Sequence, residues 1–335
     1  MGIGFSLLIA IVLVLVALLG TSIGLNALFA VVIPYLAFSI FLVGFIARIV
    51  KWGRSPVPFR IPTTCGQQKS LDWIKHNEIE NPSTKMGVVG RMLLEILCFR
   101  SLFRNTRMEL REGNKLVFIW EKWLWLAGLL FHWSFFIILF RHLRLFMEPV
   151  PSLVELVTTL DGFFGFGMHS LFLTDAFILV AVTYLFIRRV VIPHVKYVSL
   201  PADYFPLFLI FGIALSGVLM KYVYRVDMIA VKELTLGLVT FNPVVPQGIG
   251  AIFYVHLFLV CVLFMYFPFS KLMHMGGVFL SPTRNLPNDS RAKRHVNPWN
   301  YPVKFRTYEE YEDEFRKFMK AMGLPVEKDD SKEKS

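Results

Sequence analysis

Four histidines in apolar stretches of the chain are the residues best placed to do chemistry. His132 and His142 lie in LAGLLFHWSFFIILFRHLRLF (residues 126–146), and His256 and His274 lie in a later apolar stretch. A polar ring left unpaired in hydrocarbon is strongly destabilising. Whatever satisfies these four imidazoles is therefore our leading indication of function.

The spacing of the histidines predicts two pairs at different depths in a membrane. His142 lies about 15 Å beyond His132, and His274 about 27 Å beyond His256, at about 1.5 Å of helix per residue. With the two helices antiparallel, His142 faces His256, which we name the outer pair, and His132 faces His274, the inner pair. Two neutral imidazoles facing each other across a helix bundle are the axial ligands that a b-type haem iron requires.

The unequal spacings call for a bend in the later helix. Pro268 lies between His256 and His274 in the segment MYFPFSKLMHM. A proline removes a backbone donor and kinks a helix, so it can re-aim His274. Eighteen residues are also five whole turns, which leaves both rings on one face of a continuous helix.

Other interpretations of these histidines stay open. Each could hydrogen-bond a neighbouring main-chain carbonyl, or a proton or metal transporter could use them. A metal path needs carboxylates or cysteines nearby, and these helices offer Cys261 alone and Glu121 at one entry. The three cysteines form no CxxC or CxxCH motif, so we expect no iron–sulfur or zinc site and no covalently attached haem.

Composition predicts that the histidines belong to an all-α, polytopic membrane helix bundle. Of 335 residues, 55% are hydrophobic and 33 are Phe. About 20 apolar residues cross the hydrocarbon core as a helix, and the first such run, without a basic leader, is unlike a signal peptide. We predict six transmembrane helices at about 5–24, 26–48, 118–145, 164–188, 204–224 and 248–274.

The distribution of the net charge of +11 predicts membrane orientation rather than nucleic-acid binding. Segment 51–115 carries 12 Lys and Arg and segment 271–335 carries 13, whereas 146–165 carries none and 221–245 carries three. Positively charged loops stay in the cytoplasm. We therefore expect a multi-pass protein of the cell membrane with both termini cytoplasmic.

Two segments outside the membrane helices look suited to a partner. Segment 51–115 starts extended and continues as an amphipathic helix, with Asn81, Ser83 or Thr84 as its N-cap, lying on anionic lipid or on a partner. In the tail, TYEEYEDEFRKFMKAM predicts a second amphipathic helix with an acidic start and a basic end. We expect that helix to dock on a cytoplasmic subunit.

The pattern H-x9-H followed by H-x17-H, the latter ending PFSKLMH, resembles the nitrate reductase gamma-subunit family over roughly residues 26–276. Members of that family are five-helix, di-haem b, quinol-oxidising membrane subunits. The resemblance implies two haem b groups, one on each histidine pair. It divides the chain into an extra membrane helix (1–25), the di-haem bundle (26–276, with the insertion 51–115) and a cytoplasmic docking tail (277–335).

The insertion and the tail are similar to those of membrane subunits associated with dissimilatory sulfite reduction. That resemblance implies electron transfer between menaquinol or menaquinone and a cytoplasmic iron–sulfur subunit of the heterodisulfide-reductase type, within a larger membrane complex. A b-type subunit of a heterodisulfide or nitrate reductase is the nearest alternative, and a haem-free scaffold is a more distant one. Alone, such a chain is not a complete enzyme.

Depth in the membrane directs attention to charged residues near the outer pair. Arg141 and Arg144 flank His142 and could pair with haem propionates, since an arginine fork matches a carboxylate. The alternative is that both side chains reach the outer headgroups.

Residues farther along the chain are candidates for a quinone site. His169 is the leading candidate for a quinone hydrogen bond or a proton transfer, with a structural hydrogen bond as the alternative. Asp175 could relay protons or simply hold a polar contact. Lys221 and Arg225 are expected to anchor the end of the fifth helix at the interface.

Overall fold

The structure, a computed structural model, divides into two units, Met1–Ala292 and Lys293–Ser335. The first unit contains both histidine pairs and extends past the boundary predicted at residue 276. For residues 164–166 and 169 the backbone is described but the side chains are not. The described residues are 2–56, 66–162, 164–166, 169–292 and 302–327.

Helices dominate the first unit. They are α1 (Gly2–Ser22), α2 (Ile33–Gly53), α3 (Lys85–Cys98), α4 (Arg100–Phe103), α5 (Lys122–His142), α6 (Ser152–Asp161), α7 (Leu173–Val191), α8 (Pro193–Tyr197), α9 (Pro201–Leu219), α10 (Met228–Val239), α11 (Ala251–Tyr266) and α12 (His274–Leu280). Two antiparallel hairpins are formed by β1 (Thr106–Arg111) with β2 (Lys115–Trp120), and by β3 (Phe164–Phe166) with β4 (His169–Leu171).

Five helices of the described chain are long and apolar enough to cross a membrane. They include flanking π or 3-10 turns, and they run over Gly2–Ser22, Leu28–Gly53, Lys122–Leu145, Pro201–Tyr224 and Ala251–Phe269. The multi-pass class predicted from composition is therefore confirmed. The count differs from the prediction by one, because the segment predicted at 164–188 does not qualify.

The prediction for that fourth membrane helix was wrong at its start. Residues 164–171 form the short β3–β4 hairpin, and α7 begins only at Leu173. Gly165 lies in the first turn of the predicted helix, and glycine disfavours a helix interior. Because α7 also carries Asp175 and two arginines near its far end, its uncharged stretch is shorter than a bilayer core.

The prediction for the third membrane helix also started too early. Residues 118–120 belong to β2, and α5 begins at Lys122. The β1–β2 hairpin turns through Gly113 (φ 78°) and Asn114 (φ 54°), the residue types that tolerate a left-handed backbone. The fold is thus mostly helical rather than all-α.

The N-terminal helix belongs to the core of the bundle. It packs against α9 and α11. Ser6 Oγ donates a hydrogen bond to Pro201 O at 2.9 Å, which joins α1 to α9 inside the apolar layer. Leu209 of α9 and Leu259 of α11 are buried in the same cluster. Because lipid tails are as apolar as these leucines, the buried side chains stabilise the bundle through van der Waals packing between the helices.

Two local predictions from sequence are confirmed. Thr84 is the N-cap of α3, since its Oγ1 accepts a hydrogen bond from Gly87 N at 3.1 Å. The later histidine-bearing helix is interrupted at Pro268, where α11 gives way to a 3-10 turn over Phe267–Phe269. Ser270 then takes an extended backbone, with φ −112° and ψ 177°.

The second unit contains the helix predicted in the tail, α13 (Tyr308–Ala321). A capping box closes its first turn: Thr307 Oγ1 accepts from Glu310 N at 3.2 Å, and the Glu310 side chain accepts from Thr307 N. Glu312, 1% exposed, pairs with Arg316 one turn later at 3.2 Å. The expected amphipathic helix is therefore confirmed.

Candidate functional site

The outer pair joins the last turn of α5 to the second turn of α11. The ring centres of His142 and His256 are 6.4 Å apart, and the ring planes differ by 12°. The two rings therefore face each other nearly in parallel across the bundle.

The inner pair joins the middle of α5 to the start of α12. The ring centres of His132 and His274 are 5.9 Å apart, and their planes are nearly perpendicular at 85°. The break after Pro268 makes this possible, because His274 begins a new helix rather than ending a straight one. The argument from five whole turns of continuous helix does not apply, and the bend alone accounts for the unequal spacings.

One ring nitrogen of each histidine is held by the main chain. The Nδ1 atoms of His132 and His142 lie 2.7 Å from Gly128 O and Ile138 O, one turn earlier on α5. His256 Nδ1 lies 3.1 Å from Ile213 O, and His274 Nδ1 lies 3.0 Å from Lys271 O. These contacts favour the tautomer with hydrogen on Nδ1, which leaves Nε2 as a metal-ligand atom.

The separations fit an iron atom between the rings of each pair. A metal–imidazole bond of about 2 Å, with about 1 Å from each nitrogen to its ring centre, sets the two centres about 6 Å apart. The observed 5.9 and 6.4 Å agree with that distance. In the described part of the chain, no cluster of three or more His, Cys, Asp and Glu could hold a bare metal ion. Each pair offers two imidazoles, one for each side of an iron atom, and this donor set suits a haem.

Helix α9 shapes the space around His256. Ser216 Oγ lies 3.0 Å from His256 Nδ1. A Cβ atom added to Gly217 would lie 3.4 Å from His256 Cε1, so the ring packs directly against the glycine backbone. Sequence reasoning missed both residues, because neither stands out until α9 and α11 are placed side by side.

A buried ionic network lies beside the outer pair. Arg141, 5% exposed, pairs through Nη2 with Asp175 Oδ1 at 2.7 Å and through Nε with Asp161 Oδ2 at 3.1 Å. Thr174 donates to Asp161 through both its backbone N and its Oγ1. The guanidinium also lies 3.8 Å from the ring centre of Phe172. Arg141 is thus engaged by protein carboxylates, and its predicted pairing with a haem propionate stays a prediction.

The network continues to the π-helical turn Met220–Tyr224, which directly follows α9. Tyr222 OH donates to Asp175 Oδ2 at 3.0 Å and accepts from Phe172 N at 3.0 Å. Lys221 Nζ lies 2.9 Å from the Phe172 ring centre. That ammonium nitrogen is buried, with no hydrogen-bond partner among the described residues. Lys221 was expected to anchor the end of the helix at the interface; in the structure its amine is buried beside Phe172 instead.

The remaining predicted residues near the outer pair have different outcomes. Asp175 is the shared acceptor of the network just described. Arg144 is half-buried and has no ion pair within the described ranges, so its propionate role stays a prediction. His169 begins β4, and its side chain lies outside the described part of the structure.

A second charged cluster lies in the segment before α5. Glu80 Oε1 pairs with Arg100 Nε at 2.7 Å and with Arg104 Nη1 at 2.6 Å. Burial by itself would raise the pKa of the Glu80 carboxyl, but the two guanidinium groups outweigh burial and hold that pKa below its usual value. Beside this cluster, the ring of Phe99 lies edge-on to His132, with the centres 4.9 Å apart.

Known proteins share this chain's sequence over most of its length. A family model described as nitrate reductase gamma subunit matches residues 96–287. A protein of Archaeoglobus fulgidus, described as an Hdr-like menaquinol oxidoreductase cytochrome b-like subunit, is 47% identical over 283 residues, or 82% of this chain and 84% of its own. Its namesake in Archaeoglobus profundus is 42% identical over 275 residues, or 80% and 81%.

The family match spans more than half of the chain and contains all four paired histidines, together with Arg141 and Asp175. It begins within α3, so α1 and α2 lie before it. The chain therefore belongs to the nitrate reductase gamma-subunit family, among its cytochrome b-like membrane subunits.

Proposed function

We propose that this chain is the di-haem b subunit of a membrane complex that passes electrons between menaquinol and a cytoplasmic iron–sulfur partner. The observation that carries the proposal is the approach of two histidine pairs, at 5.9 and 6.4 Å, with every Nδ1 held by a carbonyl. The relatives described as menaquinol oxidoreductase subunits support the choice of quinol.

The roles of the ligand residues follow from their hydrogen bonds. His142 and His256 would hold one haem b and His132 and His274 the other. Haem bound there supplies reversible one-electron chemistry. The Nδ1 contacts hold each ring in orientation and favour hydrogen on Nδ1, so that Nε2 can present its lone pair to the metal.

We infer that menaquinol binds at the outer end, beside the network of Arg141 and Asp175. The buried amine of Lys221 is a hydrogen-bond donor suited to a quinone oxygen, and Tyr222 holds Asp175 in place through its Oδ2. The Asp175 carboxylate is a group of this network that would accept a proton from a quinol hydroxyl. His169 stays a candidate for the same site.

Helix α7 completes a sixth crossing in this proposal. Its central residues 176–187 carry no charge, and the charged residues near its two ends are paired. Asp175 pairs with Arg141, and Arg188 Nη2 lies 3.1 Å from Glu121 Oε2. With these charges neutralised, α7 can lie against α5 within the bilayer. Six crossings return both termini to the same side, which the positive loops assign to the cytoplasm.

The partner is proposed as an iron–sulfur subunit of the heterodisulfide-reductase type, as in DsrK-like proteins, with further subunits of the same complex around it. The insertion and the tail support the more specific assignment to a DsrM-type subunit acting in dissimilatory sulfur metabolism. α13 presents Tyr311 and Phe318, 47% and 69% exposed, as apolar groups for such a contact.

Haem content and single histidine changes test the proposal. The purified chain should show a dithionite-reduced minus oxidised spectrum of b-type haem, with two haems per chain. His142→Ala and His256→Ala should each remove the same haem, because a single imidazole cannot complete the axial pair. His132→Ala should remove the other haem.

His76→Ala is the matched control, since His76 lies in the insertion, apart from both pairs, and the change should leave two haems. A folded but colourless wild-type protein would refute the proposal and favour the transporter or scaffold. Retention of both haems in His142→Ala would refute the pairing.

A further inference from the structure

We propose that the elbow between α3 and α4, with Phe99 at its apex, is a built-in cover for the inner pair. It positions His132 and keeps water from its ring, and so sets the reduction potential of the group held there. The inference rests on the proposed function, since it presumes that the inner pair holds a haem. It concerns residues of the insertion, which supplies neither ligand.

The first support is the contact of Phe99 with the ligand ring. The Phe99 and His132 ring planes are nearly perpendicular, at 86°, and their centres are 4.9 Å apart. Phe131 contacts the same imidazole at the same distance, with an angle of 85°. His132 is therefore enclosed by two aromatic rings while His274 faces it from a third direction. Such packing restricts the orientation of a ligand ring.

The second support is the backbone of Phe99. It adopts φ 50° and ψ 48°, in the left-handed region that favours glycine. A bulky aromatic residue at such a position is unusual, and it persists only where its surroundings hold it. Glycine would end α3 here without strain. The side chain must therefore contribute something that glycine cannot, and its contact with His132 is what the structure offers.

The third support is the attachment of α3 to the helix that carries His132. Trp125 Nε1 donates to Cys98 O at 2.7 Å, and Trp133 Nε1 donates to Leu97 O at 3.0 Å. These carbonyls belong to the last turn of α3, whose C=O groups find no donors within their own helix. Two indoles of α5 thus replace the missing partners and fix the end of α3 against α5.

The elbow is also attached to the segment that follows His274. Glu95 Oε2 accepts from Ser101 N at 3.0 Å and from Ser101 Oγ at 2.7 Å, which closes the elbow across Phe99. The other oxygen of Glu95 pairs with Arg284, which lies just beyond α12. The cover is therefore tied to both chain segments that supply the inner ligands.

The expected effect follows from the charge of the iron. An oxidised haem carries one more positive charge than a reduced haem, and water stabilises the more charged form. A cover that excludes water from the ligand ring therefore favours the reduced state. Removal of the Phe99 ring should lower the reduction potential of the inner haem and leave the outer haem unchanged.

The test is a spectroscopic redox titration of the full chain with both haems bound, unchanged and as Phe99→Ala, Phe99→Gly and Phe99→Leu. We expect Phe99→Ala to raise the ratio of oxidised to reduced inner haem about threefold to tenfold at a fixed potential, where tenfold corresponds to about 59 mV. Phe99→Gly should match it although glycine suits the backbone. Phe99→Leu, which keeps apolar bulk, should restore most of the potential.

Phe103→Ala is the matched control. Phe103 lies in α4 and packs on Trp125 and Trp120, with ring centres 4.9 and 6.3 Å apart, rather than on a described histidine. The change removes the same ring from the same segment and should leave both potentials unaltered. Titration of His142→Ala, which should retain only the inner haem, assigns the signal.

The outcomes separate the cover from the proposed function. Unchanged inner potentials in two-haem Phe99→Ala and Phe99→Gly proteins would overturn the cover and leave the di-haem proposal standing. An equal shift in Phe103→Ala would also overturn it. If Phe99→Ala fails to bind the inner haem, Phe99→Leu decides, since restored binding with a near-normal potential supports the cover and continued loss refutes it. Absence of haem from the unchanged chain would refute the proposed function itself.

Discussion

The outer and inner pairs use the same side chains at nearly the same separation, yet different parts of the chain surround them. The network beside the outer pair comes from within the bundle and its own connections, with Arg141 5% and Asp161 8% exposed. The inner pair takes its surroundings from the insertion and from the segment after α11. Its member His274 is exposed in the isolated chain. One site is thus internal to the bundle and the other lies at its boundary.

The angle between the two imidazole rings also differs between the outer and inner pairs. The outer rings are within 12° of parallel and the inner rings are crossed at 85°. The outer histidines sit on two packed helices, whereas His274 starts a short helix after a break. We conclude that the outer site is held by the packing of membrane helices, while the inner site depends on segments that a partner could contact. Three substitutions test this difference between the two sites, and they are given in order of decreasing expected effect.

The largest effect should come from Arg141→Leu. The change leaves Asp161 and Asp175 buried without their cation, and breaking a buried pair in this way is destabilising by about 3–5 kcal/mol. Thermal unfolding in detergent should show a large loss of stability. Arg144→Leu, on the same helix but without an ion pair in the described ranges, should change it little. Equal losses of stability in the two variants would show that the ion pairs of Arg141 do not stabilise the outer site.

An intermediate effect should come from Gly217→Leu. A Cβ at Gly217 would already be in van der Waals contact with the His256 ring at 3.4 Å, so we expect the larger leucine side chain to crowd that ring. Overpacking of this kind is destabilising by about 1–3 kcal/mol. The outer haem should be lost and the inner haem retained, as measured by haem content and the reduced spectrum. Gly4→Leu is the control, because a Cβ at Gly4 meets nothing within 4 Å. Loss of both haems in Gly217→Leu would mean that the two sites are not independent.

The smallest effect should come from Glu80→Gln, which weakens the ion pairs with Arg100 and Arg104 near the inner pair. These arginines are 35% and 49% exposed, so we expect a loss of only about 1 kcal/mol. The pKa of Glu80 is lowered in the folded chain. Its contribution to stability is therefore full above the ordinary carboxyl value of 4.5 and is lost as pH falls through the lowered pKa.

Hydrogen exchange of residues 80–105 at pH 7 and in acid measures that contribution. In the unchanged chain, the protection of these amides from exchange should decrease on going from pH 7 to acid. In Glu80→Gln the decrease should be smaller, because the substituted side chain no longer titrates. Glu109→Gln, in the exposed β1–β2 hairpin, is the control and should behave like the unchanged chain. A Glu80→Gln chain with the same acid response as the unchanged one would show that the cluster does not support the insertion.

The parts of the site that could be predicted from sequence depend on spacing along one helix. Which histidines lie at equal depth follows from the rise of an α-helix, and the break near Pro268 follows from proline chemistry. Thr84 could be named as one of three candidate caps for the same local reason. Each of these features is determined by neighbours within a few residues.

The parts that could not be predicted depend on contacts between distant segments. Asp161 and Asp175 reach Arg141 only when α5, α6 and α7 are assembled, and no periodicity indicates which carboxylate pairs with which cation. The hydrogen bond of Tyr222 to Asp175 likewise joins segments far apart in the sequence. Hydropathy marked 164–188 as apolar without showing that its first residues form a hairpin. Nothing in the sequence distinguishes Phe99, because its left-handed backbone and its ring contact with His132 are properties of the folded chain.

The position of His274 at the start of α12 has a consequence for biogenesis. Both pairs draw one member from α5 and the other from residues at or beyond α11, so a nascent chain lacks both sites until more than two thirds of it has been synthesised. If the two pairs hold haems as proposed, neither haem can gain both of its ligands before α11 has been translated. The boundary site closes last, because its final residue emerges from the ribosome after the membrane helix that precedes it.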